Sequence, residues 1–555
     1  MTLAVDSPKP QIDVAQLAHA QSPPRLGDPT AGVLGYIVSR AWLSLTVLSL
    51  LCVLFFFYGL GAGELYRTEG LRAILAQECL RSANWVVPKL YGEPFFTKPP
   101  CMYAAIALVS WPHGHVSEWS ARLPSAIAAT ATVFLFYWYF TRSVGRLAGF
   151  IAAFILPLSP SWFDKASAAE LDMMQVAWVT ASILFFLRGL ETWEGSSGSH
   201  AIVKYWSGRV PVEENETGVR STRSAVWLWW PSALCCVAGG TLTKWTAPAF
   251  FYATVVPLLW WRGRLRLLWS RYHVLSAILA CALCLTWVAG AVWLEGWQVF
   301  YETVRREALV HLSPQHHLGG YSISEMLLHP IKIGAANLPW SLLALVALRP
   351  GFAASLDTRG RRLIQALHCW LWPNLLFWSF VPQHSIRHAF PLFPAISGLA
   401  AIAWVTIIER TPDRLTAVSF FVKKTLSRVG IILMALAVTC VVARVTYVHA
   451  VIPSRDLVRK TRAKGERISS LVPADQTLYL LELKDDGLMF YYDRDVKRLT
   501  TRDLHSGRYC LLTAAEWELV PRKTAMEVID RLEDQQGAPI VLVRQRNCAN
   551  TTIHP

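Results

Sequence analysis

The chain has 555 residues, of which 53% are hydrophobic and 25 are tryptophan, and its mean hydropathy is +0.33. This composition is too apolar for a soluble enzyme and predicts a polytopic membrane protein. The formal net charge of +15 does not indicate nucleic-acid binding, because the basic residues lie in short clusters between apolar segments and not along one face.

The N-terminal residues 1–35 contain Pro, Ser, Asp and Gln without periodicity, and we expect a disordered cytoplasmic tail there. The first apolar run begins only near Ala41, and no small-residue cleavage motif follows it. This pattern predicts a first membrane span and not a cleaved signal peptide.

A membrane span needs roughly 20 apolar residues, and several stretches of the chain approach that length. They lie near residues 41–61, 121–140, 147–163, 172–190, 226–243, 246–261, 274–294, 333–348, 364–381, 388–408 and 430–448. We therefore expect an all-α polytopic membrane domain of about eleven or more helices over residues 36–450.

The Lys and Arg clusters between these spans fall on one side of the predicted membrane. The positive-inside bias makes that side cytoplasmic, together with the N-terminus. The loop after the first span, residues 62–120, is then extracytoplasmic, and so is the segment that follows the last span.

The first half of this loop has helical periodicity, although the loop as a whole is too polar to cross a bilayer. One face of the predicted helix carries Glu69, Arg72, Ala73, Ala76 and Leu80. The polar stretch ends on Lys98-Pro99-Pro100, where the prolines stiffen the backbone beside a cation. An acidic and a basic group thus lie at the two ends of one loop, at a membrane surface where they can meet a lipid headgroup.

The composition changes after the last predicted span. Short apolar or alternating runs such as QTLYLLEL and PIVLVRQR are separated by helix-compatible stretches such as TAMEVIDRLEDQ. Residues 455–555 therefore predict a small, soluble, extracytoplasmic α/β domain. It contains no nucleophile elbow, phosphate loop or metal motif, which favours a capping or recognition module. The eleven cysteines lie mostly in apolar segments without metal spacing, and we expect no metal site and no essential disulfide.

The order of motifs in the loop carries a family resemblance. Acidic residues and a short helix are followed by WVVP at 85–88, YGEP at 91–94 and KPP at 98–100. This order resembles the first extracytoplasmic loop of the lipid-linked aminoarabinose transferases and their protein O-mannosyltransferase relatives. Those proteins are glycosyltransferases of the GT-C class. The resemblance implies a GT-C fold and a polyprenyl-phosphate sugar donor, used on the outer face of the membrane.

The resemblance also implies a catalytic carboxylate in the loop. Counted back from Trp85, the family's Asp-Glu pair falls on Thr68 and Glu69, so the usual aspartate is missing. Glu69 is then expected to be the general base, with Glu64 as the alternative. A threonine hydroxyl cannot replace a resting base at neutral pH, and we expect Thr68 to be the N-cap of the predicted helix.

Two further charged residues match the family at the ends of predicted spans. Asp172 matches an acidic residue at the start of a span, where a carboxylate is costly to bury without a partner. A purely structural role, as a cap of that helix, is the alternative. Lys244 interrupts an apolar run in GGTLTKWTAP and resembles a family lysine, although a lysine there could simply extend to the interface.

By the same resemblance, Lys98 and Arg306 form a clamp for the donor phosphate, with Arg305 as a substitute for Arg306. Arginine can grip a phosphate bidentately, while lysine contributes a point charge. Without the resemblance, Arg306 could form only an intrahelical ion pair with Glu302.

The remaining candidates for substrate contact are Thr68, Glu170, His316, Arg387 and His388. Adjacent imidazoles such as His316-His317 do not easily face one ion, so we expect no metal site there. No cofactor is required by this scheme, although a divalent cation bridging carboxylates and phosphate is left open.

The function implied is inverting transfer of a sugar from a polyprenyl-phosphate donor to a lipid, glycan or protein acceptor. Glu69 or Asp172 would take the proton of the acceptor, and the clamp would stabilise the departing phosphate. A polytopic transporter and a polysaccharide polymerase or ligase are the alternatives. A transporter should show duplicated halves, which the sequence lacks. A polymerase or ligase would differ in the loop between the first two spans.

Overall fold

A computed structural model provides the fold. It describes residues 32–206, 216–312, 323–381, 385–410, 418–499, 508–520, 523 and 526–545. The candidate His316 and the predicted N-terminal tail up to residue 31 lie outside the described residues. The last part of that predicted tail, residues 32–35, belongs to the helix Gly32–Ser39, so the expectation of disorder is wrong there.

The described part of the chain is mostly helical. Its helices are Gly32–Ser39, Ala41–Cys52, Thr68–Ser82, Cys101–Ser110, Glu118–Val144, Arg146–Ile155, Pro160–Ala166, Leu171–Trp206, Glu216–Thr241, Ala247–Trp261, Arg271–Glu295, Trp297–Leu312, Ile323–Ala336, Trp340–Val346, Thr358–Phe380, Phe393–Arg410, Val418–Thr446, Ile452–Arg459, Thr461–Leu471, Asp486–Tyr492 and Ala514–Leu519. Short 3₁₀ or π turns extend or connect several of them: Val53–Phe57, Trp111–His113, Leu156–Leu158, Leu265–Trp269, Ala353–Ser355, Ile386–Leu392 and Tyr447–Val451.

Among the described residues, five helical segments are long and apolar enough to cross a membrane. They are Glu118–Val144, Leu171–Glu194, Arg271–Glu295, Ile386–Ile408 and Gly430–Leu471. The expectation of a helical integral membrane protein is confirmed, while the count of eleven spans stays a prediction.

Two predicted spans are interrupted by proline. The span predicted over 147–163 consists of two helices that meet at 72°, because Pro157 and Pro160 lack the N–H groups that would continue the helix. The span predicted over 333–348 is likewise split before Trp340, at Pro339. Neither stretch is therefore the single straight helix that the sequence predicts.

The helices pack around a core of aromatic and small residues. Its largest fully buried side chains include Trp162, Trp230, Trp370, Phe136 and Phe186. The outer helix Arg271–Glu295 is different, since only 22% of its apolar segment is buried, and Trp293 on it is 89% exposed. Apolar side chains that point outward in this way fit a lipid environment.

Where the sequence predicts α/β structure, the chain forms a five-stranded sheet. Its strands are β3 (Leu478–Leu480), β4 (Val496–Arg498), β5 (Tyr509–Thr513), β6 (Met526–Glu533) and β7 (Pro539–Gln545), and their order is β4-β3-β5-β7-β6. Strand β3 is parallel to β4 and β5, and β7 is antiparallel to β5 and β6. Leu478 is paired with Tyr509, and Tyr509 with Arg544. The buried sides of the central strands pack against the flanking helices.

The α/β domain contacts the loop between the first spans, which also holds the two-stranded ribbon β1 (Lys89–Leu90) and β2 (Glu93–Pro94). The helix Thr68–Ser82 approaches Asp486–Tyr492 so closely at Gly70 that a Cβ atom there would lie 2.6 Å from the backbone of Asp486. Gln535 donates from Nε2 to the Leu65 carbonyl at 2.9 Å and accepts from the Arg67 N–H at 3.0 Å. These contacts fix the start of the loop helix.

Candidate active site

A cavity of about 710 Å³ opens where the loop helix, the membrane helices and the turn before residue 393 meet. Its apolar wall includes Phe96, Trp245, Phe377 and Trp378. Its polar lining consists of Thr68, Arg72, Lys98, Glu170, Asp172, Lys244, Thr246, Arg387 and His388. An apolar wall with a few convergent charged groups is the usual composition of a ligand site.

The cavity brings together seven of the residues singled out from the sequence, although they are far apart along the chain. These are Thr68, Lys98, Glu170, Asp172, Lys244, Arg387 and His388. Four other candidates, Glu64, Glu69, Arg305 and Arg306, are not among the residues that line it.

Asp172 and Lys244, which the sequence treats separately, form an ion pair. Asp172 is the second residue of the helix Leu171–Trp206 and is 5% exposed. Lys244 lies in the turn before the helix Ala247–Trp261, and its Nζ donates to Asp172 Oδ1 at 3.1 Å. The ion pair offsets part of the free-energy cost of burying the Asp172 carboxylate. It also orients that carboxylate in the cavity.

Glu170 is the second carboxylate of the cavity. Lys165 donates to its Oε1 at 3.1 Å, and Arg387 Nη1 lies 3.5 Å from its Oε2. Burial raises the pKa of the Glu170 carboxyl, and the neighbouring Asp172 raises it further against the opposing effect of Lys165. Two adjacent carboxylates in unequal environments can divide proton transfer between them.

Glu69, the base expected from the sequence, is placed differently. It is 9% exposed, and Arg122 donates to it from Nε at 2.9 Å and from Nη2 at 3.2 Å. The N–H groups of Ala169 and Tyr66 supply two further hydrogen bonds, at 2.9 and 3.2 Å. Burial alone would raise the pKa of Glu69, but Arg122 and these N–H groups hold that pKa below its ordinary value. Both carboxylate oxygens of Glu69 are therefore occupied by donors, and its role as the base stays a prediction.

Arg122 is a structural residue that the sequence reasoning did not single out. It is 7% exposed, and its Nη1 also donates to the carbonyls of Leu60 and Ala62, at 3.1 and 2.7 Å. One guanidinium therefore ties the end of the first apolar segment to the loop helix. The available signal was an arginine inside an otherwise apolar segment, which requires a buried partner.

Glu64 and Thr68 also differ from expectation. The carboxylate of Glu64 accepts the N–H groups of Thr461 and Arg462 at 2.8 and 2.9 Å, and so caps a helix that packs on the α/β sheet. Thr68 is not the N-cap of the loop helix, and that prediction is wrong. The cap position is Arg67, at φ 52°, and the helix begins at Thr68. Thr68 instead lines the cavity.

The predicted phosphate clamp is only partly assembled. Lys98 lines the cavity, as does Val304 from the helix Trp297–Leu312. Arg305 and Arg306 follow Val304 directly, but both are exposed and neither is among the lining residues.

Arg72 is the cavity residue whose role sequence reasoning missed, since it was used only to recognise a helix. It is 6% exposed and lines the cavity. Its Nε and Nη1 atoms find no hydrogen-bond partner among the described residues. The signal was an arginine on the same helical face as Ala73 and Ala76, which are fully buried.

No group of three or more His, Cys, Asp or Glu side chains in the described ranges is arranged to hold a metal ion. The charged residues that line the cavity are two acids and four bases, an arrangement suited to proton transfer and to binding an anion.

Comparison with known proteins gives three results. The family model described as dolichyl-phosphate-mannose-protein mannosyltransferase matches residues 97–205. The undecaprenyl phosphate-alpha-4-amino-4-deoxy-L-arabinose arabinosyl transferase of Pectobacterium carotovorum is 23% identical over 68% of this chain and 62% of its own length. The corresponding transferase 2 of Pseudomonas fluorescens is 25% identical over 71% of this chain.

Among solved structures, ArnT from Cupriavidus metallidurans bound to undecaprenyl phosphate has a TM-score of 0.67 at 16% identity. It covers 92% of this chain and 100% of that one. The chain spans 62% of the length of the Pectobacterium carotovorum transferase and 59% of the length of the corresponding transferase of Pectobacterium atrosepticum. Together the matches confirm the resemblance that the sequence predicts, to the lipid-linked sugar transferases of the GT-C class.

Proposed function

We propose that this chain, a relative of the GT-C lipid-linked sugar transferases, is a glycosyltransferase that moves a sugar from a polyprenyl-phosphate donor to an acceptor on the outer face of the membrane. The acceptor is a lipid, a glycan or a protein. The observation that carries the proposal is the cavity, in which Asp172, Glu170, Lys98 and Lys244 meet beside an apolar wall. Such a site suits a ligand with a phosphate, a sugar and a hydrocarbon tail.

In the proposed reaction, a nucleophilic oxygen or nitrogen of the acceptor attacks the anomeric carbon of the donor, and the bond from that carbon to the phosphate oxygen breaks. The acceptor's proton passes to Asp172, which Lys244 orients at 3.1 Å. The electron pair of the broken bond leaves with the phosphate. Lys98 offsets the charge that develops there.

Glu170 provides a second proton acceptor beside Asp172. Its pKa is raised by burial, and so it can hold a proton nearer neutrality than an ordinary glutamate. Arg387, which lies 3.5 Å from Glu170, is available to contact the leaving phosphate. His388 lines the same cavity and is proposed as a contact of the acceptor or the sugar.

The proposal includes a topology of about eleven spans with the N-terminus in the cytoplasm. The loop 62–120 and the α/β domain over 455–555 would both be extracytoplasmic. Their mutual contacts support a shared location, since Leu65 N–H donates to the Tyr491 hydroxyl at 2.8 Å. The domain would then act on the loop from the same aqueous side.

Transfer is tested with the purified protein and labelled polyprenyl-phosphate sugars, offered with lipid, glycan and peptide acceptors in turn. We expect label to move from the lipid to one acceptor class, and Asp172→Asn to abolish the transfer. Uptake of free solutes into vesicles without any transfer of label would favour the transporter instead. Growth of a repeating polymer would favour the polymerase or ligase.

Topology is tested with single cysteines at Glu93, Gln536 and Arg266, all of which are exposed. An impermeant thiol reagent added outside intact cells should label the first two and not the third. The parent chain measures the background from its own cysteines. Labelling of the cysteine at Arg266 alone would reverse the orientation.

A further inference from the structure

The described residues that line the cavity carry more positive than negative charge. Four are basic, Arg72, Lys98, Lys244 and Arg387, and two are acidic, Glu170 and Asp172. Both acids already have cationic partners, since Lys244 pairs with Asp172 and Lys165 with Glu170.

Arg72 stands out among the four cations. The carboxylates of Glu170, Asp486 and Asp172 lie near enough to stabilise its charge. No described residue accepts a hydrogen bond from its Nε or Nη1 atom, although the residue is 6% exposed. Burying guanidinium N–H groups without acceptors is costly. The Nε and Nη1 groups of Arg72 are therefore placed to donate hydrogen bonds to oxygen atoms of a ligand in the cavity.

The position of Arg72 sets the chemistry of that ligand. It lies one helical turn after Thr68, the position at which the family resemblance would place an aspartate, and both residues line the cavity. Thr68 and Arg72 therefore present a hydroxyl and a guanidinium on this helix, while the two carboxylates of the cavity, Glu170 and Asp172, already have lysine partners. A sugar that carries oxygen acceptors would be bound here, whereas an ammonium group would face a like charge.

We propose that Arg72 is a specificity-determining residue, which hydrogen-bonds oxygen atoms of the donor and selects against donor sugars that carry an ammonium group. This inference rests on the proposed use of a polyprenyl-phosphate donor. The sugar it favours is neutral, and the sugar it disfavours is an amino sugar.

Binding, measured apart from transfer, tests the proposal. Three probes are titrated into the purified protein in detergent: a polyprenyl phosphate without sugar, the same lipid with a neutral hexose, and the same lipid with a 4-aminopentose. We expect the wild type to bind the hexosyl lipid at least about tenfold more tightly than the aminopentosyl lipid. In Arg72→Gln that ratio should fall to within about threefold, and in Arg72→Lys it should be intermediate.

The matched control is Arg81→Gln on the same helix, where Arg81 is exposed and pairs with Asp493 at 2.6 Å outside the cavity. It should leave the ratio unchanged. Without ligand, Arg72→Gln should have a melting temperature no lower than the wild type, because it removes buried guanidinium N–H groups that have no acceptor. If Arg72→Gln does not fold, the ratio in Arg72→Lys decides.

The outcomes separate this inference from the proposed function. Wild-type protein that binds both sugars equally, or an Arg72→Gln variant that keeps the full ratio, overturns the role of Arg72 and leaves polyprenyl-phosphate use intact. Failure of all three lipids to bind overturns the proposed donor, and the inference with it.

Discussion

Two buried ion pairs lie at the same end of this molecule, and their carboxylates have different surroundings. Glu69 pairs with Arg122 at 2.9 Å, and Asp172 pairs with Lys244 at 3.1 Å. Each acid lies in the first turn of a helix and comes from a segment with family resemblance. By residue type and local sequence, either could be the catalytic base.

The surroundings of the two carboxylates distinguish them. Glu69 accepts four hydrogen bonds, two from Arg122 and two from backbone N–H groups, and so both oxygens are occupied. Asp172 pairs with Lys244, lies beside Glu170 and lines the cavity. A carboxylate surrounded by donors holds structure together, whereas one that faces a cavity can receive a proton.

The largest expected effect is on the rate of transfer by Asp172→Asn. Loss of a positioned general base should lower kcat by about 100- to 10,000-fold. An asparagine oxygen can still accept from Lys244, and so we expect the protein to remain folded. Single-turnover transfer and the melting temperature of the purified variant measure the two effects separately.

Asp164→Asn is the control for Asp172→Asn. Asp164 contacts Lys165 at 3.1 Å, but its side chain is 61% exposed and it is not among the cavity-lining residues. It should retain nearly the wild-type rate. Wild-type turnover by Asp172→Asn would remove Asp172 from the reaction, and Glu170→Gln would then be the variant to examine.

The second effect is on stability, from Glu69→Gln. Breaking a buried ion pair on one side costs about 3–5 kcal/mol, because Arg122 is left without its counter-charge. We expect a marked fall in melting temperature and a near-normal rate per folded molecule. Thermal unfolding and active-site titration of the folded fraction check this.

Two variants sharpen the second prediction. Glu93→Gln changes an exposed glutamate of the same loop and should alter neither stability nor rate. The double variant Glu69→Leu with Arg122→Met should be no more stable than Glu69→Gln, because it leaves the Leu60 and Ala62 carbonyls and the Ala169 and Tyr66 N–H groups without partners. A stable but inactive Glu69→Gln would return the role of base to Glu69.

The third effect is on donor binding, and it differs between Lys98 and Arg306. Loss of a charge-assisted phosphate contact costs about 1.5–3 kcal/mol, so Lys98→Ala should weaken donor binding by about 10- to 150-fold. Arg306→Ala should have a smaller effect, because Arg306 is exposed and is not among the lining residues. Donor titration of both variants measures the difference. An equal loss in both would mean that Arg306 reaches the phosphate when the donor binds.

Much of this arrangement could be predicted from charges in apolar surroundings. Asp172 and Lys244 each interrupt a hydrophobic run, and Lys98 precedes two prolines, so all three attract attention in the sequence. The loop helix could be predicted from its periodicity, and the structure places it at Thr68–Ser82. These signals are local, and they identify residues that need an explanation.

Which charged residues contact each other could not be predicted in the same way. Arg122 lies 53 residues from Glu69 in the chain, and nothing in either local sequence says that they meet. The same limit applies to Glu64, whose partners lie almost 400 positions further on. Helix periodicity places Arg72 on a face with buried alanines, but only the packed structure opens a cavity against that face.

The smallest expected effect concerns pH and a third acid, Asp485, which holds the loop from the α/β domain. It accepts the N–H groups of Leu488 and Gln535 at 3.0 and 2.8 Å, and Gln535 in turn bonds to Leu65. Burial raises the pKa of Asp485 to about 6. The unfolded carboxyl titrates near 3.9, and so its folded form binds protons more tightly between about pH 4 and pH 6. The stability it provides is complete below pH 4 and is lost as pH rises through 6.

The pKa of Glu69 is shifted in the opposite direction to that of Asp485. The pH dependence of the melting temperature therefore distinguishes the two acids. The pKa of Glu69 is lowered, and therefore its contribution to stability is present at neutral pH and is lost as pH falls below the ordinary glutamate range. The melting temperature of the wild type should thus decline modestly from pH 5 to pH 7, and Asp485→Asn should reduce that decline, with a remainder from Glu170, whose pKa is also raised. Glu69→Gln should leave the decline in place and lower the whole curve. A decline that persists unchanged in Asp485→Asn would assign it to another group and would remove Asp485 as the source of pH dependence.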